Sequence, residues 1–170
     1  MLEIRLGVLA SHGGTNLQAI IYACKEGRLE ASVAVAISNN SSSMALERAR
    51  MEEIPNYHVS AVTHPQPGEH DGAILAALDK HRVDLVILAG YMKLLGPRIL
   101  SRYRNRILNS HPALLPKFGG KGMYGRLVHE AVLAAKENLT GVTIHLTDEV
   151  YDHGPIVARC QVPVVEGDTV

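Results

Sequence analysis

Asn109 and His111 stand two positions apart in the stretch ILNSHPALLP, Ile107 to Pro116. In an extended segment that spacing puts an amide and an imidazole on one face. The pair suits a carbonyl carbon under attack. An imidazole is readily tuned to hold or release a proton near neutral pH, and a neighbouring amide donates to an oxygen that is becoming negative. Pro112 disfavours further strand pairing and restricts the backbone beside His111. The pair is therefore expected at the C-terminal end of a strand, the edge where open parallel sheets keep reactive groups. The plainer alternative is an Asn and a His that satisfy backbone groups at a strand end.

A third group is available in TDEVYDHGP, which carries Asp148, Glu149, Asp152 and His153. A carboxylate beside His111 would favour its charged form, and spacing alone leaves Asp148 and Asp152 both open. Residues 11–16, SHGGTN, form another candidate. Gly13 and Gly14 allow close backbone approach, and amide groups at a helix start suit a phosphate. Neither G-x-G-x-x-G nor the Walker pattern is present, and Ser38-Asn39-Asn40 stands where a ribose-binding acid would be. The plainer reading is a tight turn with Asn16 as helix cap. A metal would need His12, His111, His145 and His153 to converge with Asp148 or Asp152. There is no HExxH and no CxxC, so no metal is expected. No G-x-S-x-G surrounds a serine, so no covalent intermediate is expected.

The elements that must position these groups follow from hydrophobic periodicity. Ile4–Ala10, Ser32–Ile37, Asn56–Ser60, Val83–Ala89 and a segment from Ile107 read as strands, with the run VDLVILA as a central one. Leu17, Ile20, Ile21 and Cys24 mark a helix face, and helices are expected over Ala45–Met51, around Ile74–Leu78, over Pro97–Tyr103 and around Val128–Ala135. Val142, Ile144 and Leu146 alternate with Thr143, His145 and Thr147, as in a half-buried strand with the apolar phase inward. Ile156–Val162 should pair with it as a hairpin. The resulting class is α/β: an open, mostly parallel twisted sheet with helices on both faces and an antiparallel strand near the C-terminus. Asp168 or Thr169 would suit the N-cap of a further helix.

The 170 residues suit a single domain, with 46% apolar and 20% charged residues. There is no Trp and one Phe, so the core must be aliphatic. Lys plus Arg balances Asp plus Glu at 17 each, which gives no basis for nucleic-acid binding. Cys24 and Cys160 are expected as buried thiols in a reducing cytoplasm. No stretch has membrane-spanning length.

Together S-x-G-G-T-N-L-Q-A-I, L-A-G-Y-M, L-N-S-H-P-A-L-L-P-K-F and H-x-x-x-x-x-x-D-H-G-P-I resemble the phosphoribosylglycinamide formyltransferases. These form a branch of the 10-formyltetrahydrofolate-using formyltransferase family, with a Rossmann-related fold. The resemblance runs in order from Ile4 to Thr169. It implies formyl transfer from N10-formyltetrahydrofolate to the primary amine of glycinamide ribonucleotide, without metal and without a covalent enzyme intermediate. Asn109, His111 and Asp152 would be the catalytic trio, since Asp152 holds the family's position before Gly-Pro. Gly13, Gly14, Thr15 and Asn16, with Gly90, would hold the phosphoribosyl substrate. Met92, Lys93, Leu94 and Leu95, with Asn109 and Asp148, would contact the folate. The implied protein is a cytoplasmic monomer or homodimer, one formyltransferase domain over residues 1–170, with or without the C-terminal helix of its relatives. Two departures stand out. Thr63–Asp71 has no arginine where many relatives carry one, and relatives usually continue past Gly-Asp-Thr into a helix. The glycine-rich 117–125 loop is expected to be mobile without ligand.

The rivals are formyltetrahydrofolate hydrolysis, transfer-RNA formylation and a nucleotide-binding regulatory module. Hydrolases carry an added regulatory domain before the first strand, and tRNA formylation wants a basic appendage. A module would tolerate alanine at Asn109, His111 and Asp152.

Overall fold

A computed structural model describes residues 3–170. The elements run β1 (Ile4–Leu9), α1 (Thr15–Lys25), β2 (Ala31–Ser38), α2 (Met44–Met51), β3 (Asn56–His58), α3 (Glu69–Lys80), β4 (Leu85–Leu88), α4 (Pro97–Arg102), β5 (Ile107–His111), α5 (Arg126–Ala134), β6 (Leu139–Leu146) and β7 (Ile156–Pro163). The chain divides within β5 into two compact units, one ending at Ile107 and the other spanning Leu108–Val170. The α/β class expected from periodicity is the class observed. Parallel strands come first and antiparallel strands lie near the C-terminus.

In the first unit the strand order is β3-β2-β1-β4, with every pairing parallel. Side chains alternate across a strand, and the alternation sorts this core into two layers. Leu6, Val8 and Ala10 pack with Leu17 and Ile21 of α1 and with Ala45 and Ala49 of α2. Leu9, Val35 and Ile37 face the other way, onto Ile74 and Leu78 of α3 and Ile99 of α4. Helices thus cover both faces. Tyr103 is the one aromatic ring among these fully buried residues, as the composition demands.

The second unit pairs β5-β6-β7, antiparallel throughout. Here two expectations are corrected. In β6 the buried positions are Gly141, Thr143 and His145, while Val142, Ile144 and Leu146 are only partly covered. The apolar alternation predicts the opposite phase. Thr143 and His145 can go inside because hydrogen bonds satisfy them there. Cys160 is exposed and Cys24 half-buried, rather than both buried. Cys160 shares the full exposure of β7, the last strand in this order. Asp168 starts no helix among the described residues. Its carboxylate accepts the Val165 N–H at 2.9 Å and closes a turn. No helix among the described residues is long and apolar enough to cross a membrane.

Gly14 is the residue that allows the turn before α1. It caps the helix at φ 67°, and a Cβ there would lie 2.6 Å from the Ala45 Cα. Gly13 meets nothing within 4 Å. Gly14→Ala is expected to cost about 2 kcal/mol or more in stability, from left-handed strain and the clash together. Gly13→Ala should change stability little. Urea unfolding of both variants checks the contrast, and equal midpoints would contradict it.

Candidate active site

β5 ends at His111, immediately before Pro112. Antiparallel pairing sets Asn109 opposite His145 and His111 opposite Thr143. Paired residues share a face, so the register delivers Asn109, His111 and His145 to one side. Thr143 braces the chain that follows. Its hydroxyl donates to the Ala113 carbonyl at 2.6 Å and accepts the Leu115 N–H at 3.0 Å.

Asp152 joins them from the β6–β7 loop. It adopts φ 54°, a left-handed conformation that Asp tolerates better than most residues. Gly154 lets the loop fold back, because a Cβ there would lie 1.8 Å from the Leu146 carbonyl oxygen. Asp152 Oδ1 lies 3.3 Å from Asn109 Nδ2, 3.5 Å from His111 Nδ1 and 3.4 Å from His145 Nε2. Its Oδ2 accepts the Gly120 N–H at 2.9 Å. All three ionisable side chains are at most 9% exposed.

The ring nitrogens have defined roles. His111 Nε2 lies 2.8 Å from the Phe118 carbonyl. A carbonyl only accepts, so Nε2 carries the proton. His145 Nδ1 likewise donates to the Leu146 carbonyl at 2.9 Å. In its neutral form His145 then presents an Nε2 lone pair, which accepts the Asn109 Nδ2–H at 3.0 Å. A second proton turns Nε2 into a donor and redirects it to Asp152.

Electrostatics follow from this crowding. Burial pushes the Asp152 carboxyl up, but hydrogen bonds from His111, His145 and the Gly120 N–H outweigh it. The carboxyl is held well below the usual range. Burial pushes the His145 ring down, yet Asp152, the Leu146 carbonyl and the charge of Asp148 leave it above its ordinary 6.5.

Asp148 stands apart from this cluster. Its Oδ1 accepts the Val150 N–H and its Oδ2 faces the exposed His153 at 3.0 Å. Burial raises its carboxyl and these partners lower it further. The choice that spacing leaves open thus falls on Asp152 as the acid beside His111. Sequence reasoning weighed His145 only as a metal ligand and gave it no place beside Asp152. The signal for His145 was its place in phase with Thr143 on a strand beside the Asn109 segment.

The first unit holds the other candidates. The start of α1 has no side-chain cap, and Asn16 lies inside the helix rather than capping it. Arg48, missed by sequence reasoning, reaches this turn and donates from Nε to the Gly13 carbonyl at 2.9 Å. Gly90 has φ 76° and open space where a Cβ would be. In the segment after it, the Met92 N–H donates to the Ser11 hydroxyl at 2.8 Å. Lys93 and Leu94 are exposed, whereas the Leu95 side chain is buried in the core. Among the described residues no group of three or more His, Cys, Asp and Glu is arranged to hold a metal. A cleft of about 290 Å³ beside α1, lined by residues such as Ile21, Cys24 and Val33, includes none of these candidates.

The sequence profile described as formyl transferase matches residues 4–170. The chain is 40% identical over 166 residues to the chloroplastic phosphoribosylglycinamide formyltransferase of Arabidopsis thaliana, with 97% of this chain and 57% of that protein covered. It is 43% identical over 164 residues to the phosphoribosylglycinamide formyltransferase of Mycobacterium tuberculosis, with 96% and 73% covered. The crystal structure of glycinamide ribonucleotide transformylase 1 from Symbiobacterium toebii superposes with a TM-score of 0.90 at 42% identity, with 98% and 76% covered. The chain therefore spans little more than half of the plant relative and about three quarters of the bacterial ones.

The raised His145 value fixes a sign. Folding favours its protonated form, so the stability it contributes is complete below pH 6.5 and is lost as pH rises through the raised value. The His145 Cε1 proton should titrate above 6.5 by NMR, and Asp152→Asn should bring the midpoint down. An unmoved midpoint would contradict the pairing.

Proposed function

Since the chain belongs to the formyl transferase family, we propose that it transfers the formyl group of N10-formyltetrahydrofolate to the primary amine of glycinamide ribonucleotide, in de novo purine biosynthesis. The observation that carries this reading is one buried carboxylate set against both an amide and an imidazole, Asp152 with Asn109 and His111. The names of the relatives supply the acceptor, phosphoribosylglycinamide, and the formyl group as what is transferred.

The substrate amine attacks the formyl carbon, and the carbonyl electron pair moves to oxygen. Asn109 Nδ2–H and His111 Nε2–H donate to that oxygen, which costs no reorganisation if the donors are already aimed. Asp152 faces Nδ1 at 3.5 Å and orients the ring. The amine proton passes, through water near Asp152, to the folate N10. The bond from carbon to N10 then breaks and the carbonyl re-forms. This leaves formylated amine and tetrahydrofolate, with no metal and no covalent enzyme intermediate.

Two donors must be released first. The Phe118 carbonyl now accepts from His111 Nε2, so the 117–125 loop yields as substrates bind. One Asn109 N–H is held by His145 Nε2, and protonation of His145 sets it free.

Gly13, Gly14, Thr15 and Asn16, with Gly90, take the phosphoribosyl substrate. Met92, Lys93, Leu94 and Leu95, with Asn109 and Asp148, take the folate. Residues 1–170 act as one formyltransferase domain, cytoplasmic and monomeric or homodimeric, without nucleic acid or membrane as partner.

Absorbance of the deformylated folate, with and without glycinamide ribonucleotide, tests the reaction. Transfer that requires the ribonucleotide is expected, and formate release without it would favour hydrolysis. His111→Ala should lower turnover by about 10²–10⁴-fold and Asn109→Ala by about 10²–10³-fold. Both variants should still bind both substrates by calorimetry. Turnover that survives His111→Ala would remove the mechanism.

A further inference from the structure

One buried carboxylate has no place in this scheme. Asp71, in the first turn of α3, is 2% exposed. Its Oδ2 accepts the Arg98 N–H at 3.0 Å, and its Oδ1 is buried without a hydrogen-bond partner. A half-satisfied buried carboxylate is costly, and an apolar side chain would fill the same space under α4 without that cost. The carboxylate also excludes any side chain from its neighbour. A Cβ on Gly96 would lie 2.2 Å from Asp71 Cγ and 2.4 Å from Oδ2. Gly96 has φ −78°, so glycine is required there for space and not for backbone freedom.

This contact lies at the end of residues 91–96, the last part of the irregular link from β4 to α4. At its start the Met92 N–H is held by the Ser11 hydroxyl, which also donates to Asn39 Oδ1 at 2.5 Å. Leu95 is sunk into the core, while Lys93 and Leu94 face solvent. At its end Gly96 lies on the Asp71 carboxylate, and the first turn of α4 is tied to the same group through Arg98. Burial, and then the Asp71 carboxylate, push the nearby Tyr91 phenol up to about 12, so Tyr91 stays neutral across the working pH range.

We propose that Asp71 is a positioning residue: by seating Gly96 and the start of α4, it sets the course of Met92–Leu95 and so the affinity for the formyl-donating folate. This rests on the reading of Met92–Leu95 as the folate segment. It assigns no ligand to Asp71 itself, which acts wholly through the backbone it holds.

Steady-state kinetics and backbone amide exchange on the full chain test it, with wild type, Asp71→Ala, Asp71→Asn and Gly96→Ala. Asp71→Ala and Gly96→Ala should each raise the KM for 10-formyltetrahydrofolate about tenfold, the equivalent of about 1.4 kcal/mol. The KM for glycinamide ribonucleotide and kcat at saturating folate should stay close to wild type. Asp71→Asn keeps an oxygen for the Arg98 N–H and should restore the folate KM. Amides of residues 92–95 should exchange faster in the Ala variants, which reads the path without any turnover. An unmoved folate KM, or unmoved exchange, overturns the proposal. A parallel fall in every kinetic parameter does so too, since it signals general loosening. Should Asp71→Ala not fold, Gly96→Ala probes the same contact from its other side. A wild-type chain that transfers no formyl group would instead remove the folate reading, and the exchange data would still decide whether Asp71 sets the segment's path.

Discussion

The Asp152 carboxylate is the constraint on which the second unit depends. A buried carboxylate is tolerable only when its oxygens are well supplied with donors. Asp152 meets that condition with Asn109, His111, His145 and a backbone amide at Gly120. Each partner imposes a requirement of its own. The β5–β6 register must place Asn109 against His145. The loop must fold back at Gly154, where there is no room for a side chain, and Asp152 must accept a left-handed backbone. Strain of this kind persists where surrounding contacts over-determine it.

The same condition explains the inverted burial of β6. An apolar face turned inward would leave Asp152 without His145 and would leave the Ala113 carbonyl and Leu115 amide without Thr143. Hydrogen bonding therefore overrides the hydrophobic phase along this strand. The half-exposed Val142, Ile144 and Leu146 are the consequence.

Asp71 is the counterpart in the first unit. One of its oxygens is used and the other is not. Where Asp152 gathers side chains, Asp71 holds only main chain, at the end of a loop that has little regular structure of its own. Ser11 performs the same service at the loop's beginning. Both are buried polar groups whose cost makes sense as a means of holding irregular backbone in place.

Much was decided by local pattern. Every strand and helix expected from periodicity is present, and β7 forms as a strand although all of its residues are exposed. The Asn109–His111 pair at a strand end followed from an interval of two residues and a proline. Tertiary structure settled the remainder. Whether Asp148 or Asp152 would face His111 depended on the course of a loop, which periodicity does not encode; the family resemblance pointed to Asp152, and the fold places it there. His145, Arg48 and Asp71 reach their partners across intervals of 36, 35 and 27 residues, so no local window contains both members of any pair. Which phase of β6 turns inward was likewise outside local reach, since it depends on donors and acceptors contributed by other parts of the chain.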